Sequence, residues 1–152
     1  MNRLSVVIPS KNLANLTACV EAMQRNDPGL PLVIVDDGIE WGKEYPEWRP
    51  MLVTPGVKPF VYARNCNIGI DSCGRDDVLL LNDDALSIAP NGFRMMHEVS
   101  QSHPEYGVIG SAIDYCGTPE QHLDPVNLRN MSRGSGDGLR ELKVMVVFAC
   151  AL

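Results

Sequence analysis

Three short runs of polar side chains each follow an apolar stretch of the sequence. Carboxylate and amide oxygens of this kind are ligands for hard divalent cations such as Mg²⁺ or Mn²⁺. Carboxylates that come together repel one another, so a shared site needs a neutralising partner. A cation that also held a diphosphate would stabilise the charge that develops on a departing nucleotide. The runs are Ser10-Lys11-Asn12, Asp36-Asp37 and Asn82-Asp83-Asp84.

Each run taken alone is also typical of a turn, because Asp and Asn form turns and cap helices readily. What favours a binding site is that all three runs occupy the same kind of position, directly after an apolar run. The two interpretations predict different structures, since only a site requires the three runs to meet.

Buried strands are predicted where short β-branched apolar runs occur, at residues 4–9, 31–35 and 78–81. The first strand is expected to end at Pro9, which cannot continue a central ladder. Roughly 20 residues separate the first two strands and carry apolar side chains at helical spacing, which predicts parallel pairing across a helical crossover. The helical positions are Leu13, Leu16, Val20 and Met23.

Further along the chain, residues 51–54 predict a brief strand and residues 60–73 a helix. We expect another helix with Pro90 in its first turn, then a strand over residues 107–113. Residues 116–138 predict a flexible loop, and residues 144–152 are apolar and β-prone. The inward positions of the two helices are expected to be Tyr62, Cys66, Ile70 and Cys73, and Phe93, Met96 and Val99.

Alternating strands and helices predict one α/β domain over residues 1–152, an open, mostly parallel sheet with helices on both faces. Such sheets bind ligands beyond the carboxyl ends of their strands. If the three strands are neighbours, the three polar runs converge there.

The composition excludes several other classes of protein. A formal net charge of -6 argues against nucleic acid as a partner. Five cysteines without a C-x-x-C pair indicate reduced thiols and a cytoplasmic location, not a disulfide framework or a zinc site. No stretch reaches the roughly 18 apolar residues of a membrane-spanning helix. Peripheral membrane association stays open.

The ordered set LSVVIPSKN, LVIVDDG, a helix with N-x-G-I, and LLLNDDA resembles the N-terminal half of family 2 glycosyltransferases. These enzymes have the GT-A fold, a Rossmann-like nucleotide-diphospho-sugar transferase fold. They typically open with V-V-I-P-T/S-x-N, continue with V-D-D-G-S and carry a D-x-D metal motif. Leu79 to Asp84 is similar to the L-L-L-N-P-D form of rhamnosyl- and galactofuranosyltransferases. The likeness extends from Leu4 to about Leu86.

The resemblance implies a role for each matching position. Pro9, Ser10 and Asn12 would line the nucleotide pocket, with Asp37 on the base or ribose and Asp36 nearby. Asn82 and Asp83 would lie at the donor, and Asp84 would ligate Mn²⁺ or Mg²⁺. Helix positions Asn67 and Gly69 match the segment before the metal strand, where close approach to the donor is expected.

The sequence also departs from that pattern. Ile39 stands where the family has Ser, and Arg64 lies two residues too early to match the family's arginine. In the family, the acceptor-binding half supplies the general base. That half is expected to be absent here, so we expect the chain to be truncated relative to the family. Three acidic residues could substitute for the base, but their types and positions favour exposed loop charges over a catalytic role. They are Asp114, Glu120 and Asp124.

The expected function is therefore metal-assisted, inverting transfer of a sugar from a UDP-, GDP- or dTDP-linked donor to a hydroxyl acceptor, glycan or lipid-linked. An alternative is a non-catalytic nucleotide-sugar-binding or interaction module. A nucleotidyltransferase is disfavoured, because no glycine-rich loop with Lys or Arg follows the first strand. An apolar last strand left uncovered would favour a homodimer.

Overall fold

A computed structural model of the chain describes residues 3–39 and 51–110. These ranges contain four strands and three helices. The strands are β1 (Leu4–Ser10), β2 (Leu32–Asp36), β3 (Met51–Pro55) and β4 (Asp77–Leu80). The helices are α1 (Leu13–Asn26), α2 (Tyr62–Ser72) and α3 (Gly92–Ser102).

The four strands form one sheet in the order β3-β2-β1-β4, and every pair is parallel. The central strand β1 pairs Val6 with Leu32 of β2 and with Leu79 of β4. The predicted α/β class and parallel sheet are therefore confirmed. Because β2, β1 and β4 are neighbours, their carboxyl ends lie at the same edge of the sheet.

Helices cover both faces of this sheet. On one face, side chains of α1 such as Leu16 and Met23 pack with Phe93 of α3 against Val6 and Ile8. On the other face, Val7, Val33 and Val35 pack with Ile68 of α2. The alternation of β1 side chains between the two clusters follows from the two-residue period of a strand. Burial on both faces explains why β1 and β2 are almost continuously apolar.

The expectation that β1 ends at Pro9 is wrong, since the strand continues to Ser10 and Pro9 pairs with Val35. The carbonyl of Val7 accepts a hydrogen bond from the Leu81 N–H. The odd-numbered residues of β1 therefore direct their backbone N–H and C=O groups toward β4. The last β4 pair is Val7 with Leu80. The backbone nitrogen of Pro9, which carries no hydrogen, is therefore directed beyond the end of β4, where the strand pairing requires no donor.

The buried face of α2 differs from the predicted one. Tyr62 and Ile70 are exposed, whereas Asn65, Cys66 and Gly69 are buried. Gly69 allows this rotation of the helix, because its missing side chain brings the helix backbone close to β1 and β2. A Cβ added at Gly69 would lie 2.2 Å from Val7 Cγ1.

Helix α3 begins at Gly92, so Pro90 precedes the helix instead of lying in its first turn. Asn91 adopts a left-handed conformation (φ 58°) and makes no side-chain cap. The cap comes from the fully buried Asp27, whose carboxylate accepts the N–H groups of Phe93 (3.3 Å) and Arg94 (3.2 Å). A carboxylate at a helix N-terminus stabilises the helix and here fastens α3 to the end of α1. Phe93 is buried as predicted, and Met96 packs against the same core.

Residues 107–110 do not form a strand, so the first part of the strand predicted over 107–113 is wrong. The rest of that strand lies outside the described residues, as do the predicted loop at 116–138, the apolar segment at 144–152 and the three acidic candidates for a base. None of the helices in residues 3–39 and 51–110 is long and apolar enough to cross a membrane.

Candidate functional site at the carboxyl edge of the sheet

The polar runs that follow β1, β2 and β4 meet at one edge of the sheet. The N–H of Asp37 donates to the carbonyl of Ser10 at 3.0 Å, which joins the end of β2 to the end of β1. The Oγ of Ser10 donates to Asp83 Oδ2 at 2.6 Å, which joins β1 to the turn after β4. The predicted convergence of the three runs is confirmed by these two contacts.

Ser10 is the centre of this network and is 1% exposed. Besides its bond to Asp83, its Oγ accepts the backbone N–H of Asn12 at 3.1 Å. The side chain of Asn12 in turn caps α1, since its Oδ1 accepts the N–H groups of Ala14 (3.1 Å) and Asn15 (3.2 Å). Asn12 therefore has a structural use at the site's edge, and its contact with a donor stays a prediction.

Asp36 and Asp37 are adjacent but have different surroundings. Oδ1 of Asp36 accepts the N–H groups of Gly38 and Ile39, both at 2.6 Å, which forms an Asx turn. Gly38 has φ 108°, a conformation that requires glycine. By contrast, Oδ1 of Asp37 is buried and has no hydrogen-bond partner among the described residues. A buried acceptor without a donor is costly, so Asp37 is the better candidate for a ligand contact.

The turn after β4 presents its side chains progressively outward. Asn82 and Asp83 are half-buried, whereas Asp84 is exposed. The backbone of this turn is anchored from inside, because Cys19 Sγ donates to the Asn82 carbonyl at 3.5 Å. Within the described residues, neither Asp83 nor Asp84 forms an ion pair with a cation. The carboxylate of Asp84 is thus free to bind a group from solution.

The charges of this turn act on two neighbouring side chains. Burial and, to a smaller extent, the nearby carboxylates of Asp83 and Asp84 together raise the pKa of the Cys19 thiol to about 12. Burial likewise raises the pKa of the Tyr62 phenol, with contributions from Cys66 and from the same two carboxylates. Tyr62, the first residue of α2, therefore lies close to the acidic turn. It is a site residue that the sequence analysis assigned to the core.

The raised pKa of Cys19 predicts a thiol that is protected from alkylation in the folded protein. We expect iodoacetamide at pH 8.5 to modify Cys19 at least ~100-fold more slowly in the native chain than in urea. Because the pKa rises from 9.0 to about 12 on folding, the neutral thiol stabilises the fold fully below pH 9. That contribution is lost as the pH rises toward 12. Peptide mass spectrometry measures the modification, and equal rates in the two states would contradict the placement of Cys19.

The loop between β3 and α2 also reaches this edge, which the sequence analysis did not predict. Asn65 is completely buried, and its Oδ1 accepts the N–H of Val57 at 3.1 Å. Its Nδ2 has no hydrogen-bond partner among the described residues. The sequence signal that could have identified Asn65 is an amide side chain on the face of α2 that packs on the sheet.

The two helix positions taken from the resemblance lie elsewhere on α2. Asn67 is exposed and takes no part in the hydrogen bonds that link the other predicted residues within the described ranges. Gly69 makes its close approach to the sheet, beside Val7 and Val35. A donor contact at Asn67 remains a prediction, whereas the close packing at Gly69 has a structural reason of its own.

The fit of a divalent cation can be judged from the side chains present. Residues 3–39 and 51–110 contain no group of three or more His, Cys, Asp or Glu side chains that could hold a metal. They therefore do not supply an all-protein cage. Mg²⁺ and Mn²⁺ sites that use one or two carboxylates and complete their shell with phosphate oxygens need less. Asp84 with its neighbour Asp83 fits that second kind of site.

A second polar cluster lies at the opposite edge of the sheet. Nε2 of His97 is 3.0 Å from Asp77 Oδ2, which fastens α3 to the start of β4. Arg3 forms an ion pair with Asp76 at 3.1 Å. These contacts join elements of the fold at the amino ends of the strands, away from the polar runs that follow β1, β2 and β4.

Comparison with known proteins adds no function. No protein-family model matches the chain. The chain is similar to "Uncharacterized protein y4gI" of Sinorhizobium fredii, with 30% identity over 133 residues. That alignment covers 81% of this chain and 14% of the relative, so the chain spans a small part of the relative's length.

Proposed function

We propose that this chain is the nucleotide-sugar-binding portion of a family 2 glycosyltransferase with the GT-A fold. The reaction would be metal-assisted, inverting transfer of a sugar from a nucleoside-diphosphate donor to a hydroxyl acceptor. The observation that carries the proposal is the meeting of Asp37, Ser10 and Asp83 at the carboxyl edge of a parallel sheet. Ligands of open α/β sheets bind at this edge.

Asp37 supports binding of the nucleoside. Its buried Oδ1 lacks a donor among the described residues, so a ligand N–H or O–H group would satisfy it. Such groups are present on nucleobases and on the ribose. The Asx turn of Asp36 holds the backbone of this segment in place through two short hydrogen bonds. Asp36 thus orients the segment, and Asp37 makes the contact.

Asp84 supports binding of the diphosphate through a cation. Its carboxylate is exposed and has no ion-pair partner among the described residues, while Ser10 holds the adjacent Asp83. A cation held here would offer its remaining coordination positions to phosphate oxygens. When bound, the metal supplies charge stabilisation for the departing nucleoside diphosphate. Asn82, at the start of the same turn, would contact the sugar or ribose.

Titration calorimetry with UDP, GDP and dTDP, each with and without Mn²⁺, tests the proposal. We expect at least one of the three to bind, with an affinity that depends on the metal. Absence of binding by all three in the presence of Mn²⁺ would contradict the assignment. The wild-type protein is the sample, and Mn²⁺ alone is the blank titration.

A second candidate function is binding of the nucleotide sugar without catalysis. It is favoured by one feature of residues 3–39 and 51–110: the acidic side chains that they place at this edge already have a role in the turn or in the proposed metal and nucleoside contacts. Inverting transfer needs a further carboxylate near the acceptor hydroxyl. Hydrolysis of the donor by a protein that binds it would favour the enzyme. Binding without hydrolysis or transfer would favour the module.

A further inference from the structure

Lys58 places its ammonium group over the turn that follows β2. A Cβ added at Gly38 would lie 2.9 Å from Lys58 Nζ and 3.5 Å from its Cε. The space beside Gly38 is therefore filled by the end of a lysine from a different segment of the chain. Because Gly38 directly follows Asp37, the ammonium lies next to the proposed nucleoside contact.

Two hydrogen bonds fix the backbone that carries Lys58. The N–H of Gly56 donates to the Asp36 carbonyl at 2.7 Å, which joins this loop to β2. The N–H of Val57 donates to Asn65 Oδ1 at 3.1 Å, which joins the loop to α2. Asn65 is completely buried, so the amide that accepts this bond is enclosed by the core. The position of Lys58 thus follows from contacts on both sides of the loop.

In residues 3–39 and 51–110, three cations lie in this part of the molecule, and two of them contact other groups. Lys11 Nζ lies 5.1 Å from the centre of the Phe60 ring, a cation–π contact. Arg64 donates from Nη2 to the Pro59 carbonyl at 3.4 Å. Lys58 is exposed and forms no ion pair with a residue in the described part of the chain. Among these three described cations, Lys58 is therefore the one whose charge is best placed for an anion at this turn.

We propose that Lys58 binds a phosphate group of the nucleoside diphosphate, and that Asn65 positions it for this contact. This inference rests on the proposed function. With the nucleoside held at Asp37, its phosphates would start from the same turn, beside which the Lys58 ammonium lies. An ammonium is a compact point charge that suits phosphate oxygens. The diphosphate would then be neutralised partly by the protein and partly by the metal.

A competing explanation is that Lys58 only offsets the negative charge of the Asp36-Asp37 turn. In that case its loss would lower the stability of the fold and leave the binding of anions unchanged. Phosphate binding makes the opposite prediction, because the lysine is exposed and contributes little to the core. The two explanations therefore separate in one set of variants.

The test compares Lys58→Met with Lys58→Arg, which retains the charge, and with Arg75→Met, which removes an exposed cation from the turn between α2 and β4. Each protein is titrated with UDP, GDP, dTDP and inorganic pyrophosphate in the presence of Mn²⁺. For each diphosphate that binds wild type, we expect Lys58→Met to lower the affinity by about tenfold at low salt. Lys58→Arg should retain most of the wild-type affinity. Arg75→Met should match wild type, and thermal unfolding should be unchanged.

The outcomes distinguish this inference from the proposed function. If a nucleoside diphosphate binds wild type and Lys58→Met equally well, the role of Lys58 is overturned and the proposed function stands. If pyrophosphate binding depends on Lys58 but no nucleoside diphosphate binds, the anion contact stands and the proposed function fails. A lower midpoint of unfolding in Lys58→Met with unchanged affinities would support charge compensation and overturn the inference.

Discussion

Replacing Asp84 by alanine is expected to weaken Mn²⁺-dependent binding of the nucleoside diphosphate by about 100-fold or more. The carboxylate is exposed and without an ion-pair partner among the described residues, so its removal would delete the proposed cation ligand and leave the core intact. Titration calorimetry at fixed Mn²⁺ measures the affinity. Thermal unfolding of the variant in the absence of ligand should match that of wild type.

The matched control for this prediction is Asp71→Ala. Asp71 is also an exposed aspartate, but it lies near the end of α2, the end remote from the polar turns. Its loss changes the net charge equally and should leave the affinity unchanged. Equal weakening by the two substitutions would show a general charge effect and would contradict a specific role for Asp84.

Gly69→Ala is expected to destabilise the fold by about 2 kcal/mol, although alanine is the better helix former. The helix propensity alone would favour the substitution by ~1 kcal/mol. The added Cβ would lie 2.2 Å from Val7 Cγ1 and 3.1 Å from Val35 Cγ2, so α2 or the sheet must move. Both valines are buried in strands, which leaves little room for relaxation. Urea denaturation followed by circular dichroism measures the change.

Gly107→Ala serves as the control for the same chemical change. A Cβ at Gly107 would meet no atom within 4 Å, and its backbone does not require glycine. We therefore expect a stability within a few tenths of a kcal/mol of wild type. A Gly69→Ala protein that is as stable as wild type, or more stable, would show that α2 does not pack on β1 as described.

The sequence predicted the sheet well, because its central strands carry two independent signals. Apolar β-branched runs identified β1, β2 and β4, and the Asp and Asn residues after β2 and β4 marked where those two strands end. The order of strand, helix and strand then predicted parallel pairing. The end of β1 could not be predicted, since the effect of Pro9 depends on which neighbour its missing N–H would face. That depends on the relative lengths of β1 and β4.

The site was predicted in part for a similar reason. Residues at strand ends are placed by the topology of the sheet, so the convergence of Asp37, Ser10 and Asp83 followed from the fold class. Residues contributed by loops are not placed by topology. Lys58 reaches Gly38 only because Asn65 and the end of β2 hold the loop between them. No spacing in the sequence reveals that contact.

The turn interpretation also proved right for some of the polar residues. Asp36 closes an Asx turn and Asn12 caps α1, the local roles that these residue types commonly have. Asp37 and Asp84 have no such local use among the described residues. Separating the two groups required knowledge of each side chain's hydrogen-bond partners, which sequence does not contain.

The central claim is that one cation-bridged nucleotide occupies the edge where β1, β2 and β4 end. Paramagnetic broadening of backbone amide signals by Mn²⁺ in the presence of UDP, GDP or dTDP tests it most directly. We predict loss of signals from Ser10, Asp37 and Asp84, while signals from Asp76 and Asp77 at the other edge persist. Broadening centred on the amino ends of the strands, or none at saturating ligand, would contradict the account.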